Sequence, residues 1–247
     1  MSAYKEFYER LISYQIKADI YKYKNPEKHL YFYQKQYMAL YHHWMNTNTR
    51  NHKPIEYGKL RFLHAAPDSP ALDVYINNEL VHRDFHYTNS SMYIKIPYGT
   101  YHIYITLKED SSNSILSKTI EIRENLSCTL AVVGLKESLD LISVSDDEFV
   151  PPGESKIRVL HLSPNTPSLD IAVLKGDVLF SQLAFSEVTD YLPLTPMTVD
   201  LELRIAGTKE VILPLRRVNV KPNTSYTIIA TGLLNQTPNL EPVFLIP

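Results

Sequence analysis

The stretch KLRFLHAAPDSPALDVYI that begins at Lys59 returns at Lys156 as KIRVLHLSPNTPSLDIAV, 97 positions later. Eight of the eighteen positions are identical. The match resumes with one extra residue of offset, pairing Tyr93 with Tyr191, Asn125 with Asn223, Ser127 with Ser225, Thr129 with Thr227, Gly134 with Gly232 and Leu135 with Leu233. Solenoid units are much shorter than this period, so the pattern predicts two duplicated domains.

Each copy reads as all-β. LRFLHA alternates Leu60, Phe62 and His64 on one face with Arg61, Leu63 and Ala65 on the other. The prolines then end the strand and force a tight connection. LDVYI alternates again, and NNE after it has hairpin-turn chemistry. Further strands are predicted at 91–96, 101–107, 115–122, 127–133 and 139–144, with counterparts at 188–194, 199–205, 210–220, 225–232 and 241–246. Seven short strands in roughly 90 residues predict an immunoglobulin-like β-sandwich for each copy, with a barrel as the alternative.

The first 46 residues differ in kind. Tyr4, Phe7, Leu11, Tyr14, Ala18 and Tyr21 fall at a 3-4-3-4-3 spacing, one helical seam. Asn25–Pro26 offers an N-cap followed by a proline at the first helical position. Leu30, Tyr33, Tyr37, Leu40 and Trp44 then repeat the spacing, and the two runs predict an α-helical hairpin. The expected organisation is therefore a Tyr-rich hairpin over 1–46, a linker over 47–58, one sandwich over 59–147, a linker over 148–155 and a second sandwich over 156–247. The acidic run Asp146, Asp147 and Glu148, ahead of Pro151–Pro152–Gly153, is read as solvated linker.

Nine of the eighteen tyrosines lie within residues 4–41. A tyrosine seam buries large area but must find partners for its hydroxyls, which suits a partly wet interface. Tyr4, Phe7, Leu11, Tyr14, Tyr33, Tyr37 and Trp44 are the candidate interface residues, docking on the first sandwich or on another copy. Oxidative cross-linking of the tyrosines is a third reading.

The net charge of −2 divides into +4 over residues 1–50 and −6 over the rest. An acidic body argues against nucleic acid as the partner. The basic N-terminal segment is suited to an acidic surface, including another copy's body. No secretion-signal pattern and no spanning apolar stretch is present, so synthesis in the cytoplasm without membrane insertion is expected. The single cysteine, Cys128, rules out an intrachain disulfide and reads as an inert core residue.

No GxGxxG, GxxxxGK, GxSxG, HExxH or CxxC motif occurs. His64, Asp68 and Asp73 are the best candidates for an acid–base or metal cluster. The second copy carries His161, Asn165 and Asp170, with an amide where the middle carboxylate stood. Asn is a poor zinc ligand and no general base. The shared motif is therefore read as structural. Arg61 and Arg158 are expected to pair with Asp73 and Asp170 on neighbouring strands, and His64 and His161 to bond loop backbone. Pro67, Pro70, Pro164 and Pro167 set the loop path. No catalytic residue, cofactor or metal is expected, and His42–His43 beside Trp44 read as a helix end.

At RFLHAAPDSPALDVYI and RVLHLSPNTPSLDIAV, followed by YLPL and a late YTIIATGL, the chain resembles the bacterial domain-of-unknown-function 4397 family. The first copy is the more divergent, with Ala66 for the motif serine, YIKI for YLPL and Cys128 where the second copy keeps Tyr226. The resemblance implies tandem immunoglobulin- or transthyretin-like sandwiches with no established activity. The Tyr-rich start resembles that of members from endospore-forming, Bacillus-like bacteria, which implies association with a spore layer or envelope. The reading that follows is a non-catalytic structural or protein-interaction protein, self-associating or docking through its N-terminal helices. The alternative is a module binding carbohydrate or cell-wall polymer through Tyr98, Tyr101 and Tyr104.

Overall fold

A computed structural model describes residues 2–22, 24–25, 28–29, 31–36, 38–39 and 56–246. The Tyr4 side chain, Pro26, Leu30, Tyr37, Leu40, His42, His43, Trp44 and linker residues 47–55 lie outside what is described. Two compact units are formed. One comprises Met1–Arg61, Ala71–Phe85 and Ser91–Cys128, and the other Phe62–Pro70, His86–Ser90 and Thr129–Pro247.

The first copy holds β1 (Tyr57–His64), β2 (Leu72–Ile76), β3 (Glu79–Phe85), β4 (Ile94–Pro97), β5 (Gly99–Leu107), β6 (Asp110–Ile122), β7 (Ser127–Val133) and β8 (Asp140–Asp146). The second holds β9 (Ser155–His161), β10 (Leu169–Val173), β11 (Val178–Leu183), β12 (Leu192–Leu194), β13 (Met197–Ile205), β14 (Val211–Val220), β15 (Thr224–Thr231) and β16 (Glu241–Leu245). The first set forms two four-stranded sheets, ordered β4-β1-β7-β8 and β3-β2-β5-β6. The second set repeats this strand for strand, as β12-β9-β15-β16 and β11-β10-β13-β14. Consecutive strands β1 and β2, like β9 and β10, lie in different sheets, so the Pro-bounded loop is the crossover between layers. Within the second copy β9 and β15 run parallel, from Ser155 opposite Thr224 to His161 opposite Ala230.

Eight strands per copy form rather than seven. The extra pair, β3 and β11, are edge strands with few fully buried positions, β3 mostly polar and β11 largely apolar. A residue in the left-handed region interrupts each, Asp84 at φ 58 and Gln182 at φ 58, which breaks the alternation a strand would be read from. The expected strand over 188–194 also shrinks to Leu192–Leu194, and that over 91–96 becomes Ile94–Pro97.

Inward-facing aliphatics make each core. In the second copy Ile157, Val159, Leu169, Ile171, Leu201, Leu203 and Ile228 form one cluster, each contributing about 1.5–3 kcal/mol of burial. The far faces of β1 and β9 are also dry. Leu63, Ala65, Ala131, Val133 and Val144 cluster with Leu160, Leu162, Ile229 and Leu245. Strand β1 is therefore buried on both faces from Leu60 onward, where its alternation alone predicts one.

Helix α1 (Ser2–Tyr21) lies against β3 and β4. Tyr8, Leu11 and Ala18 are its buried residues, while Phe7 and Tyr14 are half-buried. Leu11 and Ala18 lie in the expected seam, while Tyr8 and Gln15, one position on from Phe7 and Tyr14, join the sheet-facing stripe, Gln15 donating to Tyr93 O at 3.0 Å. The Tyr57 hydroxyl donates to that of Tyr8 at 2.8 Å, the wet contact a tyrosine seam calls for. Beyond it, Asn25 Oδ1 accepts from the Lys28 N–H at 3.0 Å as a helix N-cap. Helical residues in 28–39 return onto α1 through Phe32 stacked on Tyr21 and Gln36 bonded to Gln15.

Candidate functional site

The two motif loops superpose in their chemistry. His64 is fully buried at the end of β1, and its Nδ1 accepts the Ala66 N–H at 3.3 Å while Nε2 meets Pro70 O at 3.2 Å. His161 does the same with the Ser163 N–H and Pro167 O, at 3.3 and 3.2 Å. An accepting Nδ1 and a carbonyl at Nε2 require the neutral, Nε2-protonated ring. Burial holds His64 down at about 4, against the bond to Pro70 O that favours the charged form, and His161 is lowered for the same reason. Tyr87 and Phe185 close the two rings edge-on.

The middle positions cap separate backbone amides. Asp68 Oδ1 accepts the Lys136 N–H at 2.8 Å, and Asn165 Oδ1 accepts the Leu234 N–H at 2.8 Å. Asn165 also donates to Leu234 O, which a carboxylate could not do. The second copy adds a Ser163 hydroxyl bonded to Gly232 O and to Thr166; Ala66 removes that link in the first.

Asp73 and Asp170 hold the edge-strand bulges. Asp73 Oδ1 accepts the N–H of Asp84 at 2.8 Å, and Asp170 Oδ1 that of Gln182 at 2.9 Å. These donors are the two left-handed residues of β3 and β11. Asp170 takes a second amide, Gly207, at 2.8 Å. The expected pairing of Arg158 with Asp170 does not occur. The two residues sit on β9 and β10, in different layers, so strands that follow in sequence are not neighbours in a sheet.

Arg158 instead meets Asp146 at 2.5 Å, both side chains almost wholly buried. Its other nitrogens donate to Ser145 O and Thr227 Oγ1, and Asp146 also accepts from Thr129 Oγ1 at 2.5 Å. Lys156 pairs with Asp147 at 2.5 Å, and that bond pulls the Asp147 carboxyl below its usual range. The acidic run is thus a clamp where solvated linker was expected. Sequence alone could have found it only through the fixed Lys-x-Arg spacing that opens each copy. The same spacing presents cations to a matched tyrosine: Arg61 lies 4.6 Å from the Tyr93 ring centre and Arg158 4.4 Å from that of Tyr191.

His64, Asp68 and Asp73 therefore serve different backbone groups and do not converge. Among the described residues no three His, Cys, Asp or Glu side chains form a metal-holding group. Cys128 is half-buried where a core position was expected. No helix among the described residues is long and apolar enough to cross a membrane.

Two surface features remain. On the outer face of β2 and β5, Tyr75 and Tyr104 stack at 4.8 Å with planes 6° apart. His102 lies beside them, bonded to Ser117 at 3.1 Å, and Asn78 accepts the Tyr104 hydroxyl. Tyr98 is exposed, whereas Tyr101 lies on the core side with Ile103 and its hydroxyl donates to Pro97 O. Burial pushes Tyr101 up to about 12. A groove of about 440 Å³ opens between β14 and β16, floored by Leu215, Val218 and Phe244 and edged by Arg216, Arg217 and Lys221.

The family model described as Domain of unknown function (DUF4397) matches residues 58–172 and again 155–245. The chain belongs to the DUF4397 family. The first DUF4397 match runs through the second copy's Arg158–Asp170, as a repeated motif permits. No curated protein matches the chain. Among solved structures, the C-terminal domain of AlgF from P. aeruginosa is similar at 20% identity and a TM-score of 0.30, covering 38% of this chain and 99% of that one. A Bacillus anthracis TIE protein is similar at 12% identity and 0.21, covering 72% and 34%. A streptococcal virulence factor described as binding alpha-glucan is similar at 13% and 0.23, covering 71% and 92%. Likenesses this distant carry no function across to the DUF4397 repeats.

Proposed function

We propose that this chain is a non-catalytic interaction protein, in which two sandwiches present faces to partners and an N-terminal helical hairpin mediates self-association. One observation carries the reading: the motif's histidines and carboxylates are spent on the protein's own backbone, at matching distances in both copies. Polar groups committed in this way hold a loop and leave nothing poised for proton transfer. Helix α1 spends its buried face on β3 and β4, while Tyr31 and Tyr33 beyond it stay 53% and 55% exposed. Light scattering of the full chain over a concentration series tests the reading. Mass should rise with concentration, and a Tyr31→Glu/Tyr33→Glu variant should stay monomeric. A wild type that stays monomeric overturns it.

A second reading rests on the Tyr75–Tyr104 stack. An aromatic face on an open sheet, flanked by His102, Asn78 and Ser117, suits the apolar face and hydroxyls of a sugar. Co-sedimentation with insoluble cell wall tests it, with retention by the wild type and loss in Tyr104→Ala as the expected result. The setting proposed for either role is a spore layer or envelope, which fractionation of sporulating cells carrying a tagged copy would check.

A further inference from the structure

The duplicated fold offers a comparison within one molecule. In the first copy, the side between edge strands β3 and β4 is covered by α1, and Val81, Ile94 and Ile96 there are 1%, 2% and 0% exposed. Their counterparts between β11 and β12, Leu179, Leu192 and Leu194, are only half-buried. Val178, next to Leu179 in β11, stands 44% exposed. Strand topology is the same and the three matched positions are aliphatic in both copies; α1 packs on the first. The second copy thus bears, uncovered, the kind of surface that α1 fills in the first.

We infer that this side of the second sandwich is the docking site for the N-terminal helical segment of a second copy of the chain. The occupant follows from shape and charge. The template shows that this edge pair accepts a helix with a tyrosine–aliphatic seam, anchored by Tyr8, Leu11 and Ala18. Residues 31–38 carry exposed Tyr31 and Met38, seven apart on one helical face, with exposed Tyr33 on the other side, so an apolar face is available without leaving its own chain. The segment is basic, with Lys28 and Lys35, while Asp177 precedes β11 and Asp190 precedes β12, both exposed. The contact joins two different surfaces, head to tail, and so continues from copy to copy. It rests on the self-association proposed above and adds the receptor.

The contact is tested with full-length chains carrying exposed charge reversals, whose folding is checked by thermal melts. An acceptor variant, Asp177→Lys/Asp190→Lys, and a donor variant, Lys28→Glu/Lys35→Glu, are each run by sedimentation velocity. Each alone should associate at least about tenfold more weakly than wild type, a loss of roughly 1.4 kcal/mol. Mixed one to one, they should recover association, because the intact donor of one meets the intact acceptor of the other and their reversed charges are complementary as well, so the two variants alternate along the assembly. If only the donor variant loses association, the N-terminal segment mediates self-association but this receptor is wrong. If neither variant changes it, or the mixture recovers no association, the inference fails. A monomeric wild type removes both readings.

Discussion

Arg158 and Asp146 meet at 2.5 Å inside the protein, although one opens the second repeat and the other closes the first. Thr129 and Thr227, equivalent residues of the two copies, supply the third and fourth members of the network. The junction of the repeats is held by a buried ion pair, with Lys156 and Asp147 as a more exposed second pair.

Truncating Asp146 leaves the Arg158 guanidinium buried without its counter-charge. Asp146→Ala should lower stability by about 3–5 kcal/mol, while Asp146→Leu with Arg158→Met should recover most of it, since an apolar replacement of both partners removes the desolvation cost. Chemical denaturation of the two variants checks the pair. Equal losses would mean that packing at this site outweighs charge.

Acid should destabilise the protein early. The folded His64 ring is held at about 4, below the 6.5 of an unfolded histidine. The unfolded chain therefore binds the proton first, and stability that is full above pH 6.5 falls as pH drops toward 4. His64 alone contributes about 3 kcal/mol to that slope, and His161 acts in the same direction. The Asp147 and Glu202 carboxyls, lowered by Lys156 and Arg204, extend the loss below the ordinary carboxylate range. Melting temperature measured across pH 7 to 4 should fall steeply for wild type and less for His64→Gln/His161→Gln.

The two motif aspartates should not be equal. Asp73 satisfies one backbone amide and Asp170 two. Each buried amide left without an acceptor costs about 1–3 kcal/mol, so Asp170→Ala should lose roughly twice what Asp73→Ala loses. Hydrogen exchange at Gln182 and Gly207 should speed in the first variant, and at Asp84 in the second.

Gly134 and Gly232 both sit at φ +93, where a Cβ on Gly134 would come within 2.5 Å of Ser138 O and one on Gly232 closer still to Asn239 O. Strain of about 1–3 kcal/mol is expected from the backbone alone, with the collision added. Gly232→Ala should cost more than Gly134→Ala in thermal melts.

How much of this was legible in the sequence follows the range of each interaction. His64 bonds Ala66 and Pro70, and His161 bonds Ser163 and Pro167, all within six residues, so motif spacing carries the information. Asn25 as an N-cap is equally local. Arg158 with Asp146 is not, because their meeting depends on which sheets adjoin; a rule of consecutive strands points to Asp170 instead. Strands β3 and β11 are hard to read because Asp84 and Gln182 break the alternation in both, and in β3 the edge position tolerates polar residues. The α1 seam is legible at Leu11 and Ala18, while Tyr8 and Gln15 join it because a 3-4 spacing fixes a helix face only to within about one position. Nothing in one chain's sequence marks Tyr75 and Tyr104 as partners, since their stacking needs the β2–β5 register.

The dry cluster that joins Leu63 and Ala65 to Leu160, Leu162 and Ile229 bears on how the protein can be dissected. Severing the chain between Asp147 and Ser155 would wet those aliphatics on both fragments at once. Neither fragment is a self-sufficient bead, and each would tend to precipitate or to seek its missing half. A complementation pair, two separately made pieces that become soluble only when combined, is what this seam provides.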